Sequence, residues 1–181
     1  MLLGKLRRFS FKTCTILAGA YLLLTLIVSF ANNYYAIENP VQDKKAFWDQ
    51  KSFWHYGWGD SEVHKGIDIF AKYKSLVISP VNGVVIESDY GILGGNYVYI
   101  LGQDLKVYYF AHLDTALVEK WTFVNNNKLL GTVGNTGNAM LKPPHLHFSI
   151  YSIVPILQNC APGQKLGLKR MFYLDPGRHI K

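Results

Sequence analysis

LVISPVNGVVIESDYGILGGNYVYILGQDLKVYYFAHL, residues 76–113, is a series of short apolar runs broken by turn signals. The runs LVISP, VVIES, YVYIL and VYYFAHL are rich in Val, Ile, Tyr and Phe, which suit a pleated, half-buried surface. Between them stand Asn82-Gly83, Gly94-Gly95 and Gly102-Gln103-Asp104, residue types that make tight reversals. The pattern predicts strands joined by hairpins. Downstream, Leu129–Val133 runs into a glycine–asparagine turn at 134–138, and HLHFSIY (145–151) alternates as a strand should. Few stretches beyond residue 31 sustain a helical period; the best, 114–121, is short. The expected fold is mainly β, an antiparallel, sandwich-like sheet domain over about 51–158.

The N-terminal end reads differently. From Thr13 to Ala31 the sequence TCTILAGAYLLLTLIVSFA carries no charge. As a helix it would be about 28 Å long, close to the hydrocarbon thickness of a bilayer. Lys5, Arg7, Arg8 and Lys12 precede it, and the first acid after it is Glu38. The positive-inside rule then keeps residues 1–12 in the cytoplasm and exports the rest, behind one transmembrane helix at 13–31. The competing reading is a signal peptide cleaved after Ala31, where Ser29-Phe30-Ala31 offers small residues. The apolar run exceeds a signal's usual core, which favours an uncleaved anchor. Residues 32–50, polar with scattered aromatics, read as a linker. Residues 159–181 carry Lys165, Lys169, Arg170, Arg178 and Lys181 among Gly and Pro, and read as a basic, solvated tail.

Composition narrows the function. The formal charge is +7, but residues 1–31 hold four of the basic side chains and no acid, so nothing points to nucleic acid as a partner. A hydrophobic content of 49% supports a real core, and 14% aromatic excludes disorder. Two cysteines, Cys14 and Cys160, exclude a disulfide framework and a four-thiolate zinc site.

Six histidines are few, and their placement is informative. His64 and Asp68 stand four apart in HKGID; on a strand they would share a face, with Gly66 letting the backbone pass close to a bound group. Imidazole and carboxylate are both zinc ligands. His145 and His147 stand two apart in PPHLHF, on one face of a strand, about 6.5 Å from Cα to Cα. Pro143 and Pro144 restrict the chain before them. His112 ends the β run YYFAHL. Each of these signals is weak alone, since chance and ordinary surface histidines produce them. His55 and His179 have no partner spacing. Gly131, Gly134 and Gly137 lack the spacing of a dinucleotide fingerprint, and no Walker lysine follows.

Together they are specific. HKGIDI (64–69), VNGVV (81–85), YYFAHL (108–113), GTVGNTGN (131–138) and HLHFSI (145–150) occur in the order of the LytM/lysostaphin-type zinc metalloendopeptidases, which this sequence resembles over about half its length. The resemblance implies His64, Asp68 and His147 as ligands of one zinc ion, and His145 and His112 as the catalytic pair. It departs from the family at FWHYGWGDSEV (53–63), where active members often carry an arginine and this sequence has none. Three protein ligands leave a fourth position for water, the arrangement of a catalytic zinc. The expectation is a zinc endopeptidase cutting stem or cross-bridge peptides of peptidoglycan, anchored in the bacterial cytoplasmic membrane with its catalytic domain facing the periplasm or wall. The alternative is a non-catalytic LytM-like module that binds peptidoglycan or regulates a partner cell-wall hydrolase. A cytoplasmic phosphocarrier of the related sugar-permease IIA architecture conflicts with the N-terminal anchor.

Overall fold

Two of the expected reversals are hairpins. β4 (Gly83–Gly91), β5 (Gly95–Gly102) and β6 (Lys106–Ala116) form an antiparallel meander in the computed structural model, which describes residues 11–31, 36–58 and 62–181. The third reversal is not. Asn82-Gly83 joins β3 (Leu76–Ile78) to β4, and those strands do not pair: β3 lies between β1 (Val41–Gln42) and β8 (Leu129–Val133). Asn82 instead ties two loops together, its carbonyl accepting from Gln103 N and its Oδ1 from Asn126 N.

The sheet branches at β6. One edge of β6 pairs with β5; the other pairs with β9 (His145–Ser152) along Lys106–Ala111 and then with β8 from Leu113 onward. β9 carries β2 (Ile67–Phe70) and β10 (Tyr173–Leu174) on its far side, and β7 (Phe123–Val124) pairs with β4. All of these strand pairings are antiparallel. Val98, Ile100, Tyr108, Phe110, Phe148 and Ile150 alternate onto one face and are fully buried. Each contributes roughly 1.5–3 kcal/mol of apolar burial. The other face carries Tyr99, Tyr109, His147 and Tyr151, all half-buried, and this is the face that builds the site.

Two expectations change, those for the linker and the tail. The short helical period at 114–121 forms no helix, in keeping with the mainly β reading: β6 runs through to Ala116, because Thr115 and Ala116 pair with Thr132 and Gly131 of β8. Of the stretch read as linker, residues 32–35 lie outside the described residues. Residues 36–50 are woven into the fold, with Ile37 and Val41 buried and Phe47 bridged to Phe70. The basic tail is likewise tied down. Leu174 is in the core, Ile37 N donates to His179 O, and Lys181 N donates to Ile37 O. The charges stay at the surface while the apolar residues between them complete the core.

α1 (Phe11–Ala31) forms over the apolar N-terminal run. Its side chains are described without a break over residues 13–27, and among the described residues no helix is long and apolar enough to cross a membrane. Residues 1–10, most of the expected cytoplasmic segment, lie outside the described residues.

Gly66 shows how tightly β2 is seated. A Cβ there would lie 2.4 Å from the Phe148 carbonyl oxygen and 2.4 Å from Ser149 Oγ. The glycine thus admits strand β9 rather than a bound group, and a backbone carbonyl cannot swing aside. Gly66→Ala is expected to destabilise the domain by about 1–3 kcal/mol, the usual cost of overpacking. A lowered urea midpoint would register it; an unchanged midpoint would show that the two strands separate freely.

Candidate functional site

Asp68 and His147 are direct cross-strand partners on β2 and β9, so the sheet register alone brings carboxylate and imidazole together. His64 lies just before β2, not on it. It is held by a loop in which Trp54 N donates to His64 O and His64 N donates to His55 O. Its ring is fully buried and turned toward the same point. His64 Nε2, Asp68 Oδ1 and His147 Nδ1 form a triangle with edges of 3.1, 3.0 and 2.9 Å.

The hydrogen-bond partners around the triangle show what it can hold. His64 Nδ1 donates to the Ser52 carbonyl at 3.1 Å; a carbonyl only accepts, so the Nδ1 carries the hydrogen and the Nε2 of the neutral ring is bare. His64 Nε2 and Asp68 Oδ1 are then two lone-pair atoms 3.1 Å apart, a contact that a shared cation relieves. His147 turns its other nitrogen to Ser149 Oγ at 2.9 Å. Ring nitrogens anchored in this way are the usual support of metal-ligating histidines. Four tetrahedral ligands at zinc's bond lengths sit about 3.3 Å from one another, close to the edges seen here. The donor set therefore fits a zinc ion, with two neutral imidazoles and one carboxylate as its ligands. Burial works to raise the Asp68 pKa, but the adjoining imidazoles of His147 and then His64 outweigh it and keep the carboxyl far below the usual range, ionised and ready to ligate.

His145 and His112 stand beside the triangle. His145 is buried at the start of β9, and its Nδ1 donates to the Pro143 carbonyl at 2.7 Å. Its bare Nε2 faces Asp68 Oδ2 at 4.0 Å. His112 marks the point where β6 leaves β9 and takes up β8. It adopts φ 63°, in the left-handed region that a non-glycine residue enters only under strain, and its N–H donates to Gly94 O at 2.7 Å. Its Nδ1 donates to the Thr136 carbonyl at 2.9 Å, so its Nε2 too is an acceptor. Burial first, and the neighbouring His147 and His145 second, push the His112 pKa down to about 4, so the ring is uncharged at neutral pH. The rings of His112 and His145 are 5.0 Å apart, those of His112 and His147 6.0 Å.

All five residues singled out from the sequence are thus brought together, while His55 and His179 are not among them. The carbonyls of Ser52, Pro143 and Thr136, which set three tautomers, had no sequence signal, because every residue carries a carbonyl. Trp58 was also missed. Its ring stacks on His64 with centroids 4.0 Å apart, in the segment that lacks the arginine.

The profile of peptidase family M23 matches residues 62–162. The peptidoglycan DD-endopeptidase ShyC of Vibrio cholerae serotype O1 is 33% identical over 90 residues, which are 50% of this chain and 20% of ShyC. The murein hydrolase activator NlpD of Escherichia coli K12 is 32% identical over 88 residues, 48% of this chain and 22% of NlpD. The chain therefore matches only about a fifth of the length of either relative. Among solved structures, a zinc-containing peptidase from Vibrio cholerae superimposes with a TM-score of 0.53 at 28% identity, covering 64% of this chain and 36% of that one.

Proposed function

Because this chain belongs to peptidase family M23, we propose that it is a zinc endopeptidase acting on the peptides of bacterial peptidoglycan, held at the cytoplasmic membrane by the uncharged run 13–31 with the sheet domain outside. One observation carries the reading. Three lone-pair donors converge on one point, and two further imidazoles present bare Nε2 atoms beside it. His64, Asp68 and His147 would hold the metal. When bound, zinc supplies a Lewis acid that polarises the scissile carbonyl and makes water acidic near neutral pH. His145 takes the water's proton at Nε2 and returns it to the leaving amine. Its Nδ1–H bond to Pro143 O keeps the ring oriented and strengthens as the ring becomes charged. His112 cannot donate from Nε2 in the tautomer that Thr136 selects, so its part is to accept from water and orient it rather than to hydrogen-bond an oxyanion.

The similarity to NlpD supports a second reading, a non-catalytic module that binds wall or regulates a partner hydrolase. Zinc content and release of soluble fragments from purified peptidoglycan, measured on the full chain in detergent, decide between them. About one zinc per chain and steady fragment release are expected. A folded, zinc-free protein that releases nothing would leave the second reading in place.

The membrane topology has its own test. Four cations precede the apolar run, so a reporter active only after export should be active when fused after Lys181. A cytoplasmic reporter active at the same position would overturn the orientation.

A further inference from the structure

Beside the metal triangle the same face of the sheet opens into a cavity of about 580 Å³. Its walls include Ile86, Tyr97, Tyr99, Tyr109 and Tyr151, and among the described residues Glu87 is the one side chain of charged type that lines it. The cavity adjoins the site. Tyr109 lies 6.0 Å, ring to ring, from His147, and Gly94 at its rim accepts the His112 N–H. The register makes the connection continuous: Glu87 of β4 pairs with Tyr99 of β5, Tyr99 with Tyr109 of β6, and Tyr109 with Ser149 of β9. Ser149 is the residue whose hydroxyl meets His147 Nε2. One row of side chains therefore leads from the metal triangle across four strands to a carboxylate.

The chemistry of the row is that of a cation receptor. Tyr99 and Tyr109 stack at 4.3 Å with 22° between their planes, and Tyr97 packs edge-on to Tyr99 at 5.6 Å. Tyrosine faces attract cations through the ring quadrupole. Tyr97 OH donates to Glu87 Oε1 at 2.6 Å, which orients the carboxylate and leaves it further acceptor positions. Asp89, opposite Tyr97 on β4, adds a second negative charge nearby, and among the described residues no lysine, arginine or histidine lines the cavity. Three strand spacings separate Ser149 from Glu87, about 14 Å. A long side chain on a peptide residue a few positions from the cut bond covers that reach.

We infer that this tyrosine-walled cavity is a specificity site for a side-chain amine of the peptide substrate, with the alkyl stem on Tyr99 and Tyr109 and the ammonium at Glu87. The inference rests on the peptidase reading but makes a separate claim, so its test has a readout that does not require hydrolysis. The probes are two synthetic peptides identical except for lysine or norleucine at one position, titrated into the full chain in detergent while tyrosine ring resonances are followed. The lysine peptide is expected to bind about tenfold more tightly than its norleucine twin, the scale of one charge-assisted contact. Glu87→Gln should remove most of that preference. Equal affinity for the two peptides, or a preference that survives Glu87→Gln, would overturn the site. Tyrosine shifts produced by an N-acetylglucosamine oligomer and not by the lysine peptide would also overturn it, by showing a saccharide surface instead. A parallel digestion of purified wall, native or with its amines acetylated, separates the two failures. If both are cut at equal rates, the amine site falls and the peptidase stands. If neither is cut while the lysine preference and its loss in Glu87→Gln are seen, the peptidase reading falls and the amine site stands.

Discussion

His145→Ala is expected to keep about one zinc per chain, and its fold, while releasing soluble fragments from purified wall roughly 10²–10⁴-fold more slowly, the usual cost of losing a general acid–base group. His145 and His147 share a strand face, and by residue type they are equals. Their surroundings separate them. His147 Nδ1 is 2.9 Å from Asp68 Oδ1 and 3.0 Å from His64 Nε2, inside the donor triangle. His145 Nε2 is 4.0 Å from the other carboxylate oxygen, outside that triangle and within reach of a group placed there. Because His145 Nδ1–H is committed to Pro143 O, only Nε2 is available to take a proton. His112→Ala should also retain zinc but lose less activity, since it orients water without exchanging a proton. Elemental analysis beside fragment release separates these outcomes. Loss of zinc from His145→Ala with retention in His147→Ala would reverse the two roles.

Asp68→Asn and His147→Ala are expected to lose metal and activity together. Asparagine keeps the shape of the side chain but removes the negative charge that the cation offsets, and it brings an NH₂ group into a cluster of lone pairs. Alanine at 147 removes one of three ligands and strands the Ser149 hydroxyl. Either variant should fall from near one zinc to below about 0.1 per chain under conditions that saturate the wild type, because the affinity of such a site depends on every ligand. Fragment release should drop to background with it. Urea unfolding of the metal-free proteins serves as the control, since Asp68 and His147 lie on the face of the sheet opposite its fully buried core. Full zinc in either variant would remove that residue from the ligand set.

Much of this was legible before folding. The β class followed from apolar runs at strand length, and β8 and β9 form where alternation places them. The five residues of the site stood out because chemistry restricts metal ligation and proton transfer to few side-chain types, and their order along the chain added what no single pair carried. What local pattern left open or misread were segments whose structure depends on distant partners. Residues 114–121 have a passable helical pattern, yet β8 offers Thr115 and Ala116 a ladder that an isolated helical turn cannot match. Residues 36–50 look like linker because their apolar positions are sparse, but Ile37 and Val41 fill gaps left by strands far along the chain. Asn82-Gly83 has the composition of a hairpin turn and serves as a crossover, because β3 finds its partners in β1 and β8.

By itself, then, the sequence determined the β fold class, the apolar N-terminal helix and the chemical types gathered at the site, since these depend on local pattern and on what each side chain can do. Only the tertiary structure decided which nitrogen of His64, His145 and His112 bears the hydrogen. The Ser52, Pro143 and Thr136 carbonyls that hold the protons of His64, His145 and His112 are identical in kind to every other carbonyl in the chain, and position alone makes them selective. The tyrosine row leading to Glu87 arose in the same way, from the register of four strands, because side chains far apart in sequence share a surface only once the ladder between them has formed.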